Sequence, residues 1–244
     1  MRVFLLKHEN ERGVYHLTSK EKNYLFRVLR LNVNDVFTAK DSQNNYYKAF
    51  LFNEDSMTLE STERLEETLL DSLSSYRGPF VQLTAFISVL KGKKNEIQVR
   101  ALTEIGVSRI VLMETDFTQS PLSQHEMERI KAIIGEAVQQ SGSKAPSLDG
   151  PVDFAAALTM MDNLTLILHQ DTLERTKSLS EALSEADINT NISMMIGPEG
   201  GFSDAECNNA IDRGAVPVLL NTNILRAETA AIYTASAIQA ILQN

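Results

Sequence analysis

Two short stretches of this 244-residue chain concentrate the side chains that could do chemistry. Ile196-Gly197-Pro198-Glu199-Gly200-Gly201-Phe202-Ser203-Asp204-Ala205-Glu206 leaves an apolar run through a glycine-rich turn and enters charged residues. Ile224-Leu225-Arg226-Ala227-Glu228-Thr229-Ala230 makes a similar passage into the last apolar run. Glycines at 197, 200 and 201 open backbone conformations closed to other residues and let a ligand approach main-chain groups. Ser203-Asp204-Ala205-Glu206 is a capping box, which fixes a helix start. Arg226 offers a planar fork suited to carboxylate, phosphate or carbonyl oxygens. Glu199 and Glu228 offer carboxylates for proton transfer or for orienting that fork. The pattern is neither G-x-G-x-x-G nor G-x-x-x-x-G-K-[ST], which argues against a dinucleotide fingerprint and a P-loop. On spacing alone the first stretch fits a ligand loop and an ordinary capped turn alike. Unaided, Arg226 and Glu228 read as a surface ion pair, or as an Arg bonding a helix end.

The elements that must position these turns follow from periodicity. After residue 79, apolar strand patterns alternate with helical ones. Strands are predicted over Phe80–Ile87, Arg109–Glu114, Leu164–His169, Ile192–Ile196 and Val216–Leu220. Helices are predicted over Asn95–Ile105, Ser123–Gln140, Leu173–Ala186, Ser203–Arg213 and Glu228–Leu242, with Gly106 and Gly214 as stops. Such alternation implies an α/β architecture, a largely parallel sheet covered on both faces. Ligands in such sheets bind beyond the carboxyl ends of the strands. Gly197–Gly201, Asn221–Arg226 and His169–Asp171 all fall there. His169 reads either as a hydrogen-bonded structural residue or as part of a ligand pocket.

Before residue 72 the signals are mostly short strands: Val3–Leu6, Val36–Ala39, Tyr46–Phe52 and Met57–Ser61. One helix interrupts them, with Ser19 as its expected cap and Tyr24, Leu25, Val28, Leu29 and Leu31 as its apolar face. This predicts a small barrel-like domain over residues 1–72 and a larger α/β domain over 73–244. The polar Asp71-Ser72-Leu73-Ser74-Ser75-Tyr76-Arg77-Gly78-Pro79 stretch reads as their boundary.

Composition narrows the function classes. Net charge is -9, and most of the excess acid lies after residue 72. Bulk affinity for nucleic acid comes largely from Lys and Arg neutralising phosphates. The balance therefore argues against indiscriminate polyanion binding, and leaves room for an RNA met through a local basic patch. No apolar run reaches the roughly 18 residues of a membrane span, so no membrane partner is expected. The first residues are too short an apolar run for a signal peptide and read as a strand. A single cysteine, Cys207, excludes an intrachain disulfide framework and fits a reducing cytoplasm. Cys207 itself reads as buried and inert. His8, His16 and His125 are too scattered to form a metal site with one cysteine, so no metal is expected.

Taken together, several segments resemble one family. The stretches from Ile196 to Ser203 and from Ile224 to Ala230 are similar to the two signature motifs of the RsmE family. These are bacterial 16S rRNA (uridine-N3) methyltransferases of the SPOUT superfamily. Val28-Leu29-Arg30-Leu31 resembles the family's VLR motif. Lys91 to Val107, with Glu96 and Thr103-Glu104-Ile105-Gly106-Val107, resembles its K…E…ELGV segment. Glu136-Ala137-Val138-Gln139-Gln140-Ser141 resembles its EA-x-EQ-S segment. The resemblance covers nearly the whole chain, and the motifs stand in the family's order.

The resemblance implies a SPOUT-type α/β trefoil-knot methyltransferase domain, preceded by a PUA-like β-barrel that binds RNA. It implies S-adenosylmethionine at the knot, held mainly by backbone groups of the two turns. On that basis the cofactor-binding residues are His169, Ile196, Gly197, Pro198, Glu199, Gly200, Gly201, Leu220, Asn221, Ile224, Leu225, Thr229 and Ala230. Asn221 and Asn223 stand where the family commonly has Gly and Arg, and Asn is expected to tolerate the left-handed turn. The implied partners are 16S rRNA, within the 30S subunit or a late assembly intermediate, and a second copy in a homodimer. The catalytic candidates are Arg226, for the uracil oxygens or a phosphate, and Glu199 and Glu228, as bases or as orienters of Arg226. A purely structural Glu199–Arg226 pair is the alternative. The candidate RNA surface comprises Arg27 and Arg30 on the first helix and Lys91, Lys93 and Lys94 in the larger domain.

Overall fold

The computed structural model describes residues 4–8, 13–41, 43, 45–61, 81–170 and 175–242. The chain divides into two compact units, residues 1–77 with 139–142, and residues 78–138 with 143–244. The boundary expected at 71–79 lies outside the described residues, as do the first residues of the helix expected over 173–186.

In the first unit, β1 (Phe4–Leu5), β2 (Val14–His16), β3 (Val36–Lys40), β4 (Tyr46–Leu51) and β5 (Ser56–Ser61) form one sheet in the order β1-β3-β4-β5-β2. All pairs are antiparallel except β1 with β3. Phe4, Tyr15, Leu25, Phe37, Leu51 and Met57 fill its core. Helix α1 (Ser19–Lys22) runs on into a π-helical turn, Asn23–Val28. Its cap is Thr18 rather than Ser19. The Thr18 side chain accepts from the Glu21 amide, and the Glu21 carboxylate accepts the Thr18 amide and hydroxyl at 2.8 and 2.7 Å. The expected apolar face is also altered. The π turn closes with Leu29 N–H on the Tyr24 carbonyl, an i→i+5 bond that breaks the 3.6-residue spacing. Leu25 is buried while Val28 is 48% exposed.

Glu21 is itself buried, and Tyr15 donates to it at 2.7 Å. Burial pushes its carboxyl up, but the bonds from Thr18 and Tyr15 outweigh this and hold it below the ordinary 4.5. A depressed folded value contributes stability above the unfolded value, lost as pH falls through the folded one. Glu21→Gln should destabilise the chain by about 1–3 kcal/mol near neutral pH. That difference should shrink as the pH drops below 4.5, compared by urea unfolding across the acid range.

The second unit holds β6 (Leu83–Ser88), α2 (Lys94–Ile105), β7 (Arg109–Glu114), α3 (Gln124–Ser141), β8 (Ser147–Asp153), α4 (Phe154–Leu158), β9 (Leu164–Leu168), α5 (Leu179–Ala182), β10 (Ile192–Ile196), α6 (Asp204–Asp212), β11 (Val216–Val218) and α7 (Ala227–Leu242). Its six strands lie in the order β11-β9-β10-β6-β7-β8. Every pairing is parallel, as the alternating pattern predicts. The central β6 and β10 are buried along their whole length, which explains their mostly apolar character, with Thr84, Ser88 and Ser193 as buried polar exceptions. Phe154 and Ala157 of α4 and Cys207 and Ala210 of α6 pack with Phe86, Val111, Ile167 and Met195 of the strands. Helices α2 and α7 pack on each other, and α7 also meets β10 and β6. Burial pushes the Cys207 thiol up to about 11, so it is inert as expected.

Several elements depart from the sequence-based expectation, among them β2 and α4, which no predicted span covers. Strand β8 was not anticipated because Gly150-Pro151 interrupts it; it lies at the sheet edge, where proline is tolerated. The helix expected over 173–186 contracts to α5. Lys177 forms a parallel bridge with Val218, so the backbone is still extended there, and Ser178 with Glu181 caps the helix just after it.

Candidate active site at the carboxyl ends of three parallel strands

Strands β11, β9 and β10 are neighbours and point the same way, so their carboxyl-end loops meet. Together these loops enclose a cavity of about 360 Å³. Leu168, His169 and Gln170 line it from β9. Ile196, Gly197, Pro198, Glu199 and Gly201 line it from β10. Leu219, Leu220, Thr222 to Ala227, and Ala230 line it from β11 and the start of α7.

The glycine turn has its shape for local reasons. A Cβ on Gly197 would sit 2.9 Å from the carbonyl carbon of Gly201, so no side chain fits there. Gly201 has φ 74° and donates its N–H to the Pro198 carbonyl at 2.9 Å, closing the turn. Ser203 then caps α6 through the expected box with Glu206. A neighbouring loop is fastened to the same cap. Ser203 Oγ donates to Asp116 Oδ2 at 2.5 Å, and the Asp116 amide donates to Glu206 Oε1 at 3.0 Å. Below the turn, Ser88 Oγ donates to the buried Ile196 carbonyl at 2.9 Å and ties β10 to β6.

Of the residues anticipated around a cofactor, His169, Ile196, Gly197, Pro198, Glu199, Gly201, Leu220, Ile224, Leu225 and Ala230 lie on the cavity wall. Gly200, Asn221 and Thr229 are not among its lining residues. Gly200 faces the Phe117 side chain. Thr229 is exposed on α7, one helical step off the side shared by Arg226 and Ala230. Asn221 does not adopt the left-handed conformation expected of it; the Thr222 amide bonds the Leu220 carbonyl at 2.8 Å across it. Gln170, Thr222 and Asn223 lie in loops expected at the ligand-binding edge without being singled out, and sequence reasoning missed Leu168, Leu219 and Ala227 as wall residues. Their only signal was adjacency to the strand ends.

The three catalytic candidates sit in different environments. Glu199 does not pair with Arg226; its Oε1 accepts from Lys94 Nζ at 2.6 Å. The Lys94 bond holds the Glu199 carboxyl below its ordinary range, and the Lys91 charge adds to this. A carboxylate held ionised in this way is a weak base. Arg226 lines the cavity, is exposed, and its guanidinium bonds no side chain among the described residues. Glu228 is buried in the first turn of α7, and its Oε2 has no hydrogen-bond partner among the described residues. Of the basic candidates, Lys94 is thus committed to Glu199, while Lys91 and Lys93 are exposed at the loop after β6. Arg27 and Arg30 are exposed in the first unit, and Arg30 has φ 57°, a strained value for a residue with a long side chain.

A parallel sheet with a glycine-walled cavity at its carboxyl edge defines a class of ligand-binding α/β domain. Residues 77–239 match the family model described as RNA methyltransferase domain. A ribosomal RNA small subunit methyltransferase E from Synechocystis is 30% identical over 230 residues, covering 93% of this chain and 73% of that protein. One from Borreliella burgdorferi is 32% identical over 169 residues, covering 67% of this chain and 68% of its own. The chain therefore belongs to the ribosomal RNA small subunit methyltransferase E family of RNA methyltransferase-domain proteins. Its fold is shared with the Neisseria gonorrhoeae member solved bound to S-adenosyl methionine, with a TM-score of 0.77 at 21% identity over 99% of this chain and 98% of that one. A Legionella pneumophila methyltransferase in complex with the same cofactor gives a TM-score of 0.76 at 24% identity, over 98% and 96% of the two chains.

The Lys94–Glu199 pair is directly testable. Lys94→Met should raise the Glu199 midpoint toward 4.5, read by carboxyl-carbon NMR titration. An unmoved midpoint would show that Lys94 does not set it.

Proposed function

We propose that this chain transfers a methyl group from S-adenosylmethionine to N3 of a uridine in 16S rRNA. The observation that carries the proposal is the cavity where the Gly197–Gly201 turn faces the Leu219–Ala227 loop, with the exposed Arg226 on its wall. Relatives named ribosomal RNA small subunit methyltransferase E, and the cofactor in the Neisseria gonorrhoeae structure, support it.

The cavity suits the cofactor. Its volume of about 360 Å³ falls in the usual range for small-molecule sites. Leu168, Ile196, Leu219 and Leu225 give it an apolar wall for an adenine ring, and the Gly197 backbone is bare of side chain. When bound, the sulfonium supplies an electrophilic methyl group that needs no activation by the protein. The chain's own tasks are alignment and help with the uridine N3 proton.

Negative charge grows on the uracil oxygens as that proton is lost. Arg226 is placed to receive it, with its guanidinium bonding no side chain among the described residues and its carbonyl accepting the Ala230 amide at the start of α7. The positive end of α7 adds to the same field. Glu199, held ionised by Lys94, orients the lysine loop rather than taking the proton. Glu228 is buried and is not among the lining residues of the cavity, so we assign it to the start of α7 rather than to the proton.

The same reading assigns residues 73–244 to a SPOUT-type trefoil-knot domain and residues 1–72 to a PUA-like RNA-binding barrel. The passage of the chain from β10 across β9 to β11 supports the knot. We assign the 30S subunit or a late assembly intermediate as substrate, and a homodimer as the working form. Ile97 on α2 and Tyr233 and Ile241 on α7, all exposed on helices that pack together, support a self-association face. No helix among the described residues is long and apolar enough to cross a membrane, which agrees with action in the cytoplasm.

Purified chain, S-adenosylmethionine and 30S subunits lacking the modification should yield N3-methyluridine, read by nucleoside mass spectrometry. Arg226→Ala should lower turnover by about 100-fold or more, the scale of losing one charge-stabilising donor. Its affinity for S-adenosylmethionine, by calorimetry, should be nearly unchanged. Near-normal turnover of this variant would remove Arg226 from the mechanism.

A further inference from the structure

N3 of uridine lies on the Watson–Crick edge, so a methyltransferase acting there needs that base unpaired and unstacked. An extruded base loses its stacking partners, and proteins commonly replace them with an aromatic side chain. The methyltransferase reading therefore poses a question the cavity wall does not answer, because among the described residues its only aromatic side chain is His169.

Phe117 stands just outside that wall. It is 49% exposed, in the short turn that follows β7. The turn is closed by the Thr118 amide on the Thr115 carbonyl at 2.9 Å and by the Thr115 amide on Thr118 Oγ1 at 2.9 Å. Asp116 pins it to the α6 cap through Ser203 and Glu206. An exposed phenylalanine in a loop is commonly mobile and without meaning. This one is fastened at its neighbour to the start of the glycine turn's own helix.

Its ring also rests on that turn. A Cβ at Gly200 would lie 3.2 Å from Phe117 Cβ and 3.3 Å from its Cγ, so the bare glycine lets the aromatic side chain come close. Glu199 and Gly201, on either side of Gly200, line the cavity. Strands β6 and β7 are adjacent in the parallel sheet, and their carboxyl ends bring a second set of groups to this edge. Lys91 and Lys93 are exposed after β6, and Lys94 reaches Glu199. Cations that track a backbone, interleaved with an exposed aromatic, form the combination that binds single-stranded nucleic acid.

We propose that Phe117 is the platform on which the RNA substrate stacks an unpaired base beside the methyl-transfer cavity. Lys91 and Lys93 hold the flanking phosphates. Gly200 serves this arrangement by leaving room for the ring, which gives the turn's middle glycine a role separate from cofactor contact. The inference rests on the methyltransferase reading of the cavity.

The test compares Phe117→Ala, Phe117→Leu and Phe117→Tyr with the native chain. Three readouts are used: S-adenosylmethionine affinity by calorimetry, 30S methylation kinetics, and retention of unmodified 30S subunits on filters. Ala and Leu should each weaken kcat/KM for 30S subunits by about 10-fold or more, the scale of one lost base–aromatic stack. Tyr, which keeps the ring, should stay near the native value, and cofactor affinity should hold in all three. Leu performing like Phe would reduce the role to apolar packing and overturn the proposal. A parallel loss of cofactor affinity in Ala would make Phe117 a cavity support and overturn it equally. Native chain that methylates no N3 position would sink the function reading instead. Filter retention needs no turnover and would still report whether the ring matters for RNA.

Discussion

The site exists because every strand of the second sheet runs in one direction. Parallel pairing sends all carboxyl ends to a single edge, so β9, β10 and β11 deliver their loops to one place although they are not consecutive there. A reversed β10 would carry the glycine turn to the opposite edge and leave Arg226 facing nothing. The register is held by central strands with no exposed residue, where a slip would put apolar side chains against the wrong neighbours. Ser88 adds a buried polar tie at the level where β10 ends, so the turn springs from a fixed point.

From that edge outward, charge is arranged against the grain of the whole molecule. The chain is acidic overall, yet lysines gather at the loop after β6, beside the glycine turn. Glu199 keeps one of them in place and is kept ionised in return. The pair is only partly exposed on both sides, so its worth lies in geometry more than in stability. It joins the chain after β6 to the loop after β10 at the cavity wall. Arg226 contrasts with it. Its guanidinium stands exposed on the cavity wall and bonds no side chain among the described residues.

Much of this was legible in the sequence, for reasons that can be named. The alternation of apolar runs with amphipathic ones gave the parallel sheet, because strands buried on both faces cannot look otherwise. The capping box at Ser203 marked a helix start because its two bonds are local. Local rules failed where a distant partner decides. Nothing in the residues around Glu199 says that Lys94 lies within 2.6 Å, since the pair joins the ends of neighbouring strands β6 and β10 across 105 residues of sequence. Thr118 and Asp116 carry no pattern that announces a pinned aromatic between them; that follows only from the bonds to Ser203 and Glu206. In the first unit the cap moved from Ser19 to Thr18 because the Glu three residues on completes a box only with Thr18. The π turn defeated helical spacing outright.

The shortage of conventional acid–base groups at the cavity has a physical reading. Methyl transfer from a sulfonium asks little of a protein beyond holding two atoms in line, and backbone walls do that better than mobile side chains. A Cβ at Gly197 or a different φ at Gly201 would change the wall itself, whereas a side chain could only decorate it. Charged side chains stand at the same edge instead: Lys91 and Lys93 are exposed after β6, and the Arg226 guanidinium bonds no side chain among the described residues. Arg30 fits the same logic in the other unit. Its φ of 57° at the end of the π turn is a conformation that folding alone would not select for a long side chain. Strain of that kind persists where surrounding structure enforces it, and here it holds a guanidinium out in solvent. The glycine turn thus shapes the cavity wall through main chain, while exposed cations stand at the same edge of the sheet.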